Sequence, residues 1–215
     1  MKQLSKLSSW LQQPSKNQFY SVSRREYYKN LTTPKDIEEL IRRYKNPEKE
    51  TVYSETNIRF NNIELGISLK SFMENNDSPR YEITNNYLEL IKHTVLFYKD
   101  QIGKHKAFTQ YHFINDILFW GVYLFNNKLD NNEILEIEKV LKSKYNIQDN
   151  VNFKNTLLTD INKNKLELTN EIFTTINYMS GNEKIISELE KISSGYRKLV
   201  KVETNKEKMN LFDKL

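Results

Sequence analysis

The chain has 215 residues, of which 38% are hydrophobic and 28% charged, with a formal net charge of +5 and no cysteine. This length predicts one domain with a sizeable core, and the lack of cysteine excludes disulfides, thiolate metal sites and cysteine nucleophiles. The first fifty residues hold eleven Lys or Arg against six Asp or Glu, whereas the remaining residues hold 22 of each. Because the whole charge excess lies at one end, we expect an anionic partner there.

Residues 1–50 are predicted to form a basic, helical N-terminal segment. A short amphipathic helix is expected over residues 2–11, and a second helix begins at Thr33 and Pro34, which suit the N-cap and the first helical position. This segment has no apolar run typical of a signal peptide, and the most apolar run of the chain is too short and too interrupted for a transmembrane helix. We therefore expect a soluble, cytoplasmic protein that does not enter a membrane.

The middle of the chain predicts a hairpin followed by the core. Residues 51–72 are rich in β-branched and aromatic residues and place Asn61 and Asn62 between two short runs, as a β-hairpin would. Residues 85–127 are the most apolar stretch, and their apolar positions recur at steps of three and four. This spacing predicts two central buried helices, over about 86–102 and 107–125. The fold class is therefore predicted as mainly α, a helical bundle with a small β-hairpin, with α+β as the alternative.

Further helices are predicted towards the C-terminus. Either Asp130 or Asn131, together with Glu133, forms the pattern of a helical capping box, and two more helices are expected within residues 153–179. A last helix begins near Asn182, and its apolar seam over residues 183–202 predicts either a bundle edge or a homodimer contact. We expect residues 51–202 to form one domain with the N-terminal segment, and residues 203–215 to form a flexible tail.

Arginine and tyrosine residues are interleaved in the N-terminal segment, where four of the seven arginines fall within residues 24–43. A guanidinium group binds phosphate through paired hydrogen bonds and an aromatic ring stacks on a base, so this mixture is typical of nucleic-acid-binding surfaces. The alternative is a solvated helix face with half-buried tyrosines. The predicted nucleic-acid-binding residues are Arg24, Arg25, Tyr27, Tyr28, Arg42 and Arg43.

Glu55, Glu64 and Lys70 are candidate catalytic residues in the predicted hairpin region. The sequence ISLKS, which contains Lys70, resembles the last motif of metal-dependent nucleases of the PD-(D/E)XK class. In that class, acidic residues on a hairpin hold Mg²⁺ and the metal polarises a water. Ser68 stands where the motif requires a carboxylate, two residues before Lys70. The resemblance therefore implies a degenerate nuclease, and the alternative is an ordinary hairpin without catalytic residues. Mg²⁺ is expected only if the chain is such a nuclease.

The three histidines do not predict a metal site. On a helix, His105 and His112 would lie two turns apart, roughly 10 Å by the helical rise, which is too far to share one zinc ion. His112 and Asp116 have the spacing of residues on one helix face, but no third ligand accompanies them. We therefore expect no resident metal and no other cofactor, and we expect histidines that lie in the core or at its edge.

The end of the chain carries a short apolar cluster, Met209, Leu211 and Phe212. The sequence KMNLF resembles the peptide by which bacterial replication and repair proteins bind the sliding clamp. Lys208 stands where that peptide has glutamine, and the match covers five residues. The resemblance implies a protein partner for the tail, whereas the alternative is an apolar cluster that docks on its own domain.

Three functions remain open from the sequence. The first is a non-enzymatic accessory protein that binds nucleic acid through its basic N-terminal segment, with phage or plasmid encoding as a compatible origin. The second is the degenerate PD-(D/E)XK-like nuclease. The third is a helical adaptor whose only partners are proteins.

Overall fold

The computed structural model describes residues 23–34, 36–45, 49–87 and 90–195. Strands account for most of its core. They are β1 (Glu50–Tyr53), β2 (Arg59–Phe60), β3 (Ile63–Glu64), β4 (Tyr81–Tyr87), β5 (Ile91–Ile102), β6 (His105–Ile114), β7 (Ile117–Phe125), β8 (Thr156–Thr159), β9 (Lys165–Asn170) and β10 (Thr174–Met179). The helices are α1 (Arg24–Leu31), α2 (Ile37–Lys45), α3 (Leu69–Asn75), α4 (Asn131–Tyr145) and α5, which covers residues 183–195 of the described chain.

Eight of the strands form one sheet in the order β1-β8-β9-β10-β7-β6-β5-β4. The pair β1 and β8 is parallel, and the other neighbours are antiparallel. Strands β2 and β3 form a separate hairpin. None of the helices in the described part of the chain is long and apolar enough to cross a membrane.

The predicted helical bundle is wrong, because the stretch expected to form two central helices forms β5, β6 and β7. The turn between β6 and β7 contains Asn115 and Asp116, both with positive φ, as a two-residue hairpin turn requires. Gly103, at φ 59°, opens the turn between β5 and β6. Strands covered on both faces carry nearly continuous apolar runs, in which steps of three and four also occur. The spacing therefore could not distinguish a buried helix from these strands.

The prediction of two helices within residues 153–179 is also wrong, since β8, β9 and β10 lie there. Other elements are confirmed. Asn61 and Asn62 turn the hairpin of β2 and β3, both with positive φ. Helix α4 begins with a capping box between Asp130 and Glu133, and a helix follows Asn182 as expected.

Apolar residues cover both faces of the sheet. On one face, helices α1, α2 and α5 pack against the sheet through residues such as Tyr28, Leu40 and Leu189. On the other face, α3, α4 and the β2–β3 hairpin pack through residues such as Phe72 and Tyr145. We call these the α1–α2–α5 face and the α3–α4 face. Each face buries apolar surface that would otherwise contact water, which is the main favourable term for the fold.

The hairpin of β2 and β3 approaches the sheet closely at Gly121. Any side chain at Gly121 would overlap the ring of Phe60, which is fully buried. The same ring contacts Tyr111, Tyr123 and Tyr178, with centroid separations of 4.8, 4.8 and 5.1 Å. The glycine in β7 is therefore explained by the aromatic ring that lies over it.

Trp120 is predicted to be essential for stability, because its side chain is fully buried on the α1–α2–α5 face. Its Nε1 donates to Asn177 Oδ1 at 3.2 Å. Trp120→Ala should lower the free energy of unfolding by about 3–5 kcal/mol, the range for a large buried aromatic side chain. Chemical denaturation measures the change. The control Val140→Ala, at a position 66% exposed, should change it by less than about 0.5 kcal/mol. A loss below about 1 kcal/mol for Trp120→Ala would contradict the packing described above.

Candidate functional site

An open groove with a volume of about 740 Å³ lies at the end of the sheet where β5 and β7 finish and β6 begins. Its floor is a row of paired residues, since Lys99 pairs with Phe108 and Phe108 pairs with Leu124. Residues paired across neighbouring strands project from the same face of a sheet. The next row outward pairs Gln101 with Lys106. Two lysines therefore lie beside an aromatic and aliphatic floor.

Helix α1 forms one wall of the groove through Tyr27 and Leu31. Tyr27 is 47% exposed, and its ring meets the ring of Phe108 edge-on, with 6.4 Å between centroids. The helix begins at Ser23, whose side chain accepts a hydrogen bond from the backbone N–H of Glu26 at 3.1 Å. This N-cap satisfies an otherwise unpaired backbone donor and fixes where the helix starts.

Two anchors hold α1 on the sheet. At its N-terminal end, the Arg24 guanidinium donates to the Arg80 carbonyl at 2.5 Å and lies over the ring of Tyr81. Tyr28 stacks on the same ring, with 4.6 Å between centroids. At the C-terminal end, the fully buried Gln110 donates to the Leu31 carbonyl at 2.8 Å and accepts from the Thr33 backbone N–H at 3.1 Å. The wall that carries Tyr27 is therefore fixed at both ends.

Phe173 adds a second exposed aromatic ring to the groove, from the turn between β9 and β10. Its exposed fraction is 49%, and that of the neighbouring Ile172 is 81%. The turn is held by Thr174, whose hydroxyl donates to Asn170 Oδ1 at 2.6 Å and accepts from the Leu129 backbone N–H at 2.9 Å. Apolar side chains at the tip of a rigid turn are unusual, because Gly, Asn, Asp and Ser dominate such positions.

The charge in the groove is positive. Lys99 and Lys106 are both exposed, and neither forms an ion pair with any residue that the structure describes. The acidic residue of the lining, Asp100, already accepts hydrogen bonds from the Thr109 hydroxyl and the Gln101 backbone N–H, at 3.2 and 2.7 Å. Lys104, in the adjoining turn, instead lies near Glu133 of α4. Lys99 and Lys106 are therefore available to an anion.

The six residues predicted to bind nucleic acid do not form one surface. Tyr27 lines the groove, whereas the side chain of Tyr28 is buried between α1 and the sheet. Arg24 already contacts the Arg80 carbonyl and the ring of Tyr81. Arg25 and Arg42 are exposed, and Arg43 pairs with Glu39 at 2.8 Å. Helix α2 ends near β9, where Lys165 donates to the Tyr44 carbonyl, so its arginines lie towards the other end of the strands.

Sequence reasoning missed most of the groove, namely Lys99, Lys106, Phe108 and Phe173. Lys106 falls between the two predicted central helices, over about 86–102 and 107–125. In a strand assignment, Phe97, Lys99 and Gln101 lie on one face, and this alternation is the signal that could have placed Lys99 at the edge of the core.

Glu55, Glu64 and Lys70 do not converge. Glu55 is exposed in the loop after β1, and Glu64 pairs with Arg59 at 2.7 Å. Lys70 lies in helix α3 rather than on a strand, and its side chain is 87% exposed. Ser68 caps that helix, because its hydroxyl accepts from the Ser71 backbone N–H. Among the described residues, no cluster of three or more His, Cys, Asp or Glu could hold a metal ion.

The histidines take positions that the helical assignment could not predict. His93 Nε2 and His112 Nδ1 lie 3.0 Å apart on β5 and β6, and both side chains are buried. Within the described structure, His93 Nδ1 and His112 Nε2 are buried without a hydrogen-bond partner. Burial lowers the pKa of His93 to about 4, and burial together with the neighbouring His93 lowers the pKa of His112. Asp116 lies in a turn and pairs with Lys92 instead.

Two predicted partner sites fall partly or wholly outside the described residues. Met209, Leu211 and Phe212 of the tail lie outside them. The seam over residues 183–202 is described as far as residue 195. Its Ile185 and Leu189 pack into the core of their own chain on the α1–α2–α5 face.

Comparisons with protein-family models, with curated protein sequences and with solved structures find no match for this chain.

The buried histidine pair predicts a loss of stability in mild acid. The neutral rings are favoured in the folded chain, whereas the unfolded chain binds protons near pH 6.5. Stability should therefore be fully present above about pH 6.5 and decline as the pH falls towards 4. For His93 alone, the free energy of unfolding should fall on the order of 2 kcal/mol between about pH 7.5 and pH 5. Denaturant titrations at the two pH values measure the change.

Control variants separate the effect of the buried histidine pair on the pH dependence of stability from the effect of His105. Replacing both His93 and His112 with Leu should remove most of the decline between the two pH values. His105→Leu should retain it, because His105 lies at the edge of the fold beside Glu133. An equal decline in the wild type and in the double variant would show that other groups cause it.

Proposed function

We propose that this chain binds nucleic acid as an accessory protein, through the groove at the end of β5, β6 and β7. One observation carries the proposal, which is the combination in one groove of two lysines without ion-pair partners in the described structure and of exposed aromatic rings. Lysines neutralise phosphates, and aromatic rings stack on bases. This combination is typical of surfaces that follow a nucleic-acid backbone.

The arrangement of the lysines supports a phosphate contact. Lys99 and Lys106 lie on neighbouring strands, in adjacent rows of the same face. Lys99 Nζ lies 5.9 Å from the centroid of the Phe108 ring, so its charge lies beside the floor of the groove. A phosphate that contacts these two ammonium groups would leave its sugar and base near the ring.

The position of α1 supports further positive charge beside the groove, because Arg25 is exposed on this helix. Arg42 is exposed on α2, towards the other end of the strands. Arg24 and Arg43 already contact other groups of the chain, the Arg80 carbonyl and Glu39. Under the proposal, Arg25 and Arg42 contribute long-range attraction, while Lys99 and Lys106 make the closer contacts.

The proposal is tested by neutralising the lysines. The double variant Lys99→Gln/Lys106→Gln should bind nucleic acid more weakly, with a flatter dependence of affinity on salt. Each lost phosphate contact should reduce the slope of log K against log salt by about 0.7–0.9. Fluorescence anisotropy at several salt concentrations, with single-stranded and duplex DNA and RNA, measures both quantities.

Lys70→Gln is the matched control, because Lys70 is 87% exposed on the α3–α4 side of the molecule. It should leave the affinity and the salt slope unchanged. Wild-type protein that binds none of these nucleic acids at low salt would overturn the proposal and favour an adaptor that binds only proteins. An equal effect of Lys70→Gln would show that the groove is not the binding site.

A further inference from the structure

The groove contains features that select among nucleic acids. Four aromatic residues line it from four different elements, with Tyr27 on α1, Phe108 on β6, the buried Phe125 on β7 and Phe173 in the β9–β10 turn. Tyr27 and Phe173 are each about half exposed, whereas Phe108 is 7% exposed and forms the floor. An aromatic ring contributes to nucleic-acid binding mainly by stacking on the face of a base.

We infer that the groove takes the unpaired bases of a single strand, which stack on Tyr27 and Phe173 while Lys99 and Lys106 contact the phosphates. This inference rests on the proposed function and identifies the class of ligand that the same groove binds. DNA and RNA single strands share the chemistry that it requires, which is an exposed base face joined to a phosphate.

Single strands and duplexes differ in the accessibility of their base faces. In a duplex, each base is stacked on its neighbours and offers only its edge in a groove. The groove of this chain has a volume of about 740 Å³, within the range of roughly 300–1,000 Å³ that holds small ligands. A few nucleotides of a single strand fit this volume, whereas a duplex does not. A duplex therefore contacts the rim but not the rings.

The β9–β10 turn supports the same inference independently. Ile172 and Phe173 expose large apolar side chains at the tip of a turn that Thr174 ties to Asn170 and Leu129. Exposed apolar groups on a rigid support lose little conformational entropy on binding, so they suit a ligand that offers flat apolar faces. Bases of a single strand offer such faces next to the charge that the lysines require.

The ring of Tyr27 also lies on a fixed support. Tyr27 belongs to a helix held by Arg24 on the Arg80 carbonyl and by Gln110 on Leu31 and Thr33. Its ring lies edge-on to Phe108, and the interplanar angle is 69°. The aromatic lining is therefore preorganised before a ligand binds. A base can stack on these rings without a rearrangement of α1 or of the β9–β10 turn.

The test uses the full chain and the variants Tyr27→Ala and Phe173→Ala, with Tyr53→Ala as the matched control. Tyr53 is a 57% exposed aromatic residue on the edge strand β1, far from the groove in the order of the sheet. The probes are oligomers of about 12 nucleotides, namely a thymidine DNA strand, a uridine RNA strand and a DNA duplex. Melting temperatures check that each variant is folded.

Tyr27→Ala and Phe173→Ala should each weaken single-strand binding at least about fivefold and leave duplex binding unchanged. Tyr53→Ala should change neither affinity. Tyr27→Phe and Phe173→Tyr should retain the wild-type affinity, because both keep a stacking ring. A single strand carrying 2-aminopurine should lose fluorescence on binding to the wild type, through stacking, and lose less with the alanine variants. Comparison of the affinities for the DNA strand and the RNA strand identifies which nucleic acid the groove prefers.

Different experimental results would contradict the inference and the proposed function. Wild-type protein that binds single strand and duplex equally, with both affinities lowered by the lysine variant and unaffected by the alanine variants, would overturn the inference and leave the proposed function intact. Wild-type protein that binds no nucleic acid at all would overturn both.

Discussion

The constraint on which the whole structure depends is that β5, β6 and β7 are apolar on both faces. The apolar side chains from Phe113 to Phe125 are divided between two apolar clusters, so neither face of the sheet can remain in water. Every other described element contributes to covering one face or extending the sheet. The helices that precede the hairpin cover one face together with α5, and α3 and α4 cover the other. The burial of Trp120 and Phe119 beside α2 and α5, and of Phe60 over Gly121, follows from this requirement.

The groove lies where the helices of the α1–α2–α5 face stop covering the sheet. Helix α1 lies over the sheet as far as Tyr27 and Leu31, and beyond it the strand ends carry Lys99, Gln101 and Lys106 on the same face that is apolar further inside. The change from Phe97 to Lys99 within one strand marks the boundary between packed core and solvent. A site at such a boundary has a rigid apolar floor and charged edges without any special loop. Gln110, two residues from Phe108 on β6, holds the wall and connects the packing of the core to the shape of the groove.

Local signals in the sequence predicted some elements correctly, and long-range burial explains the failures. The capping box of Asp130 and Glu133 and the turn of Asn61 and Asn62 depend on a few neighbouring residues, and the structure confirms both. The central stretch depends on what covers it, because residues buried on both faces lose the alternation that identifies a strand. The groove combines residues from β5, β6, the β9–β10 turn and α1, whose pairing no spacing in the sequence encodes. Tyr27 was identified because it lay in the basic segment, whereas Phe173 had no charged neighbours to mark it.

Net charge also misleads when it is counted along the chain rather than over the surface. Residues beyond the first fifty are balanced in sign, yet two of their lysines lie together without ion-pair partners in the described structure, while Lys104, Lys92 and Lys163 are paired. In the basic N-terminal segment, by contrast, Arg24 and Arg43 are held by groups of their own chain. The electrostatic field at the groove therefore combines local lysines with the exposed remainder of the N-terminal charge. Because close charges act strongly and distant ones are screened within about 10 Å at ordinary salt, the proposed function assigns the salt dependence of nucleic-acid affinity to the lysines of the groove.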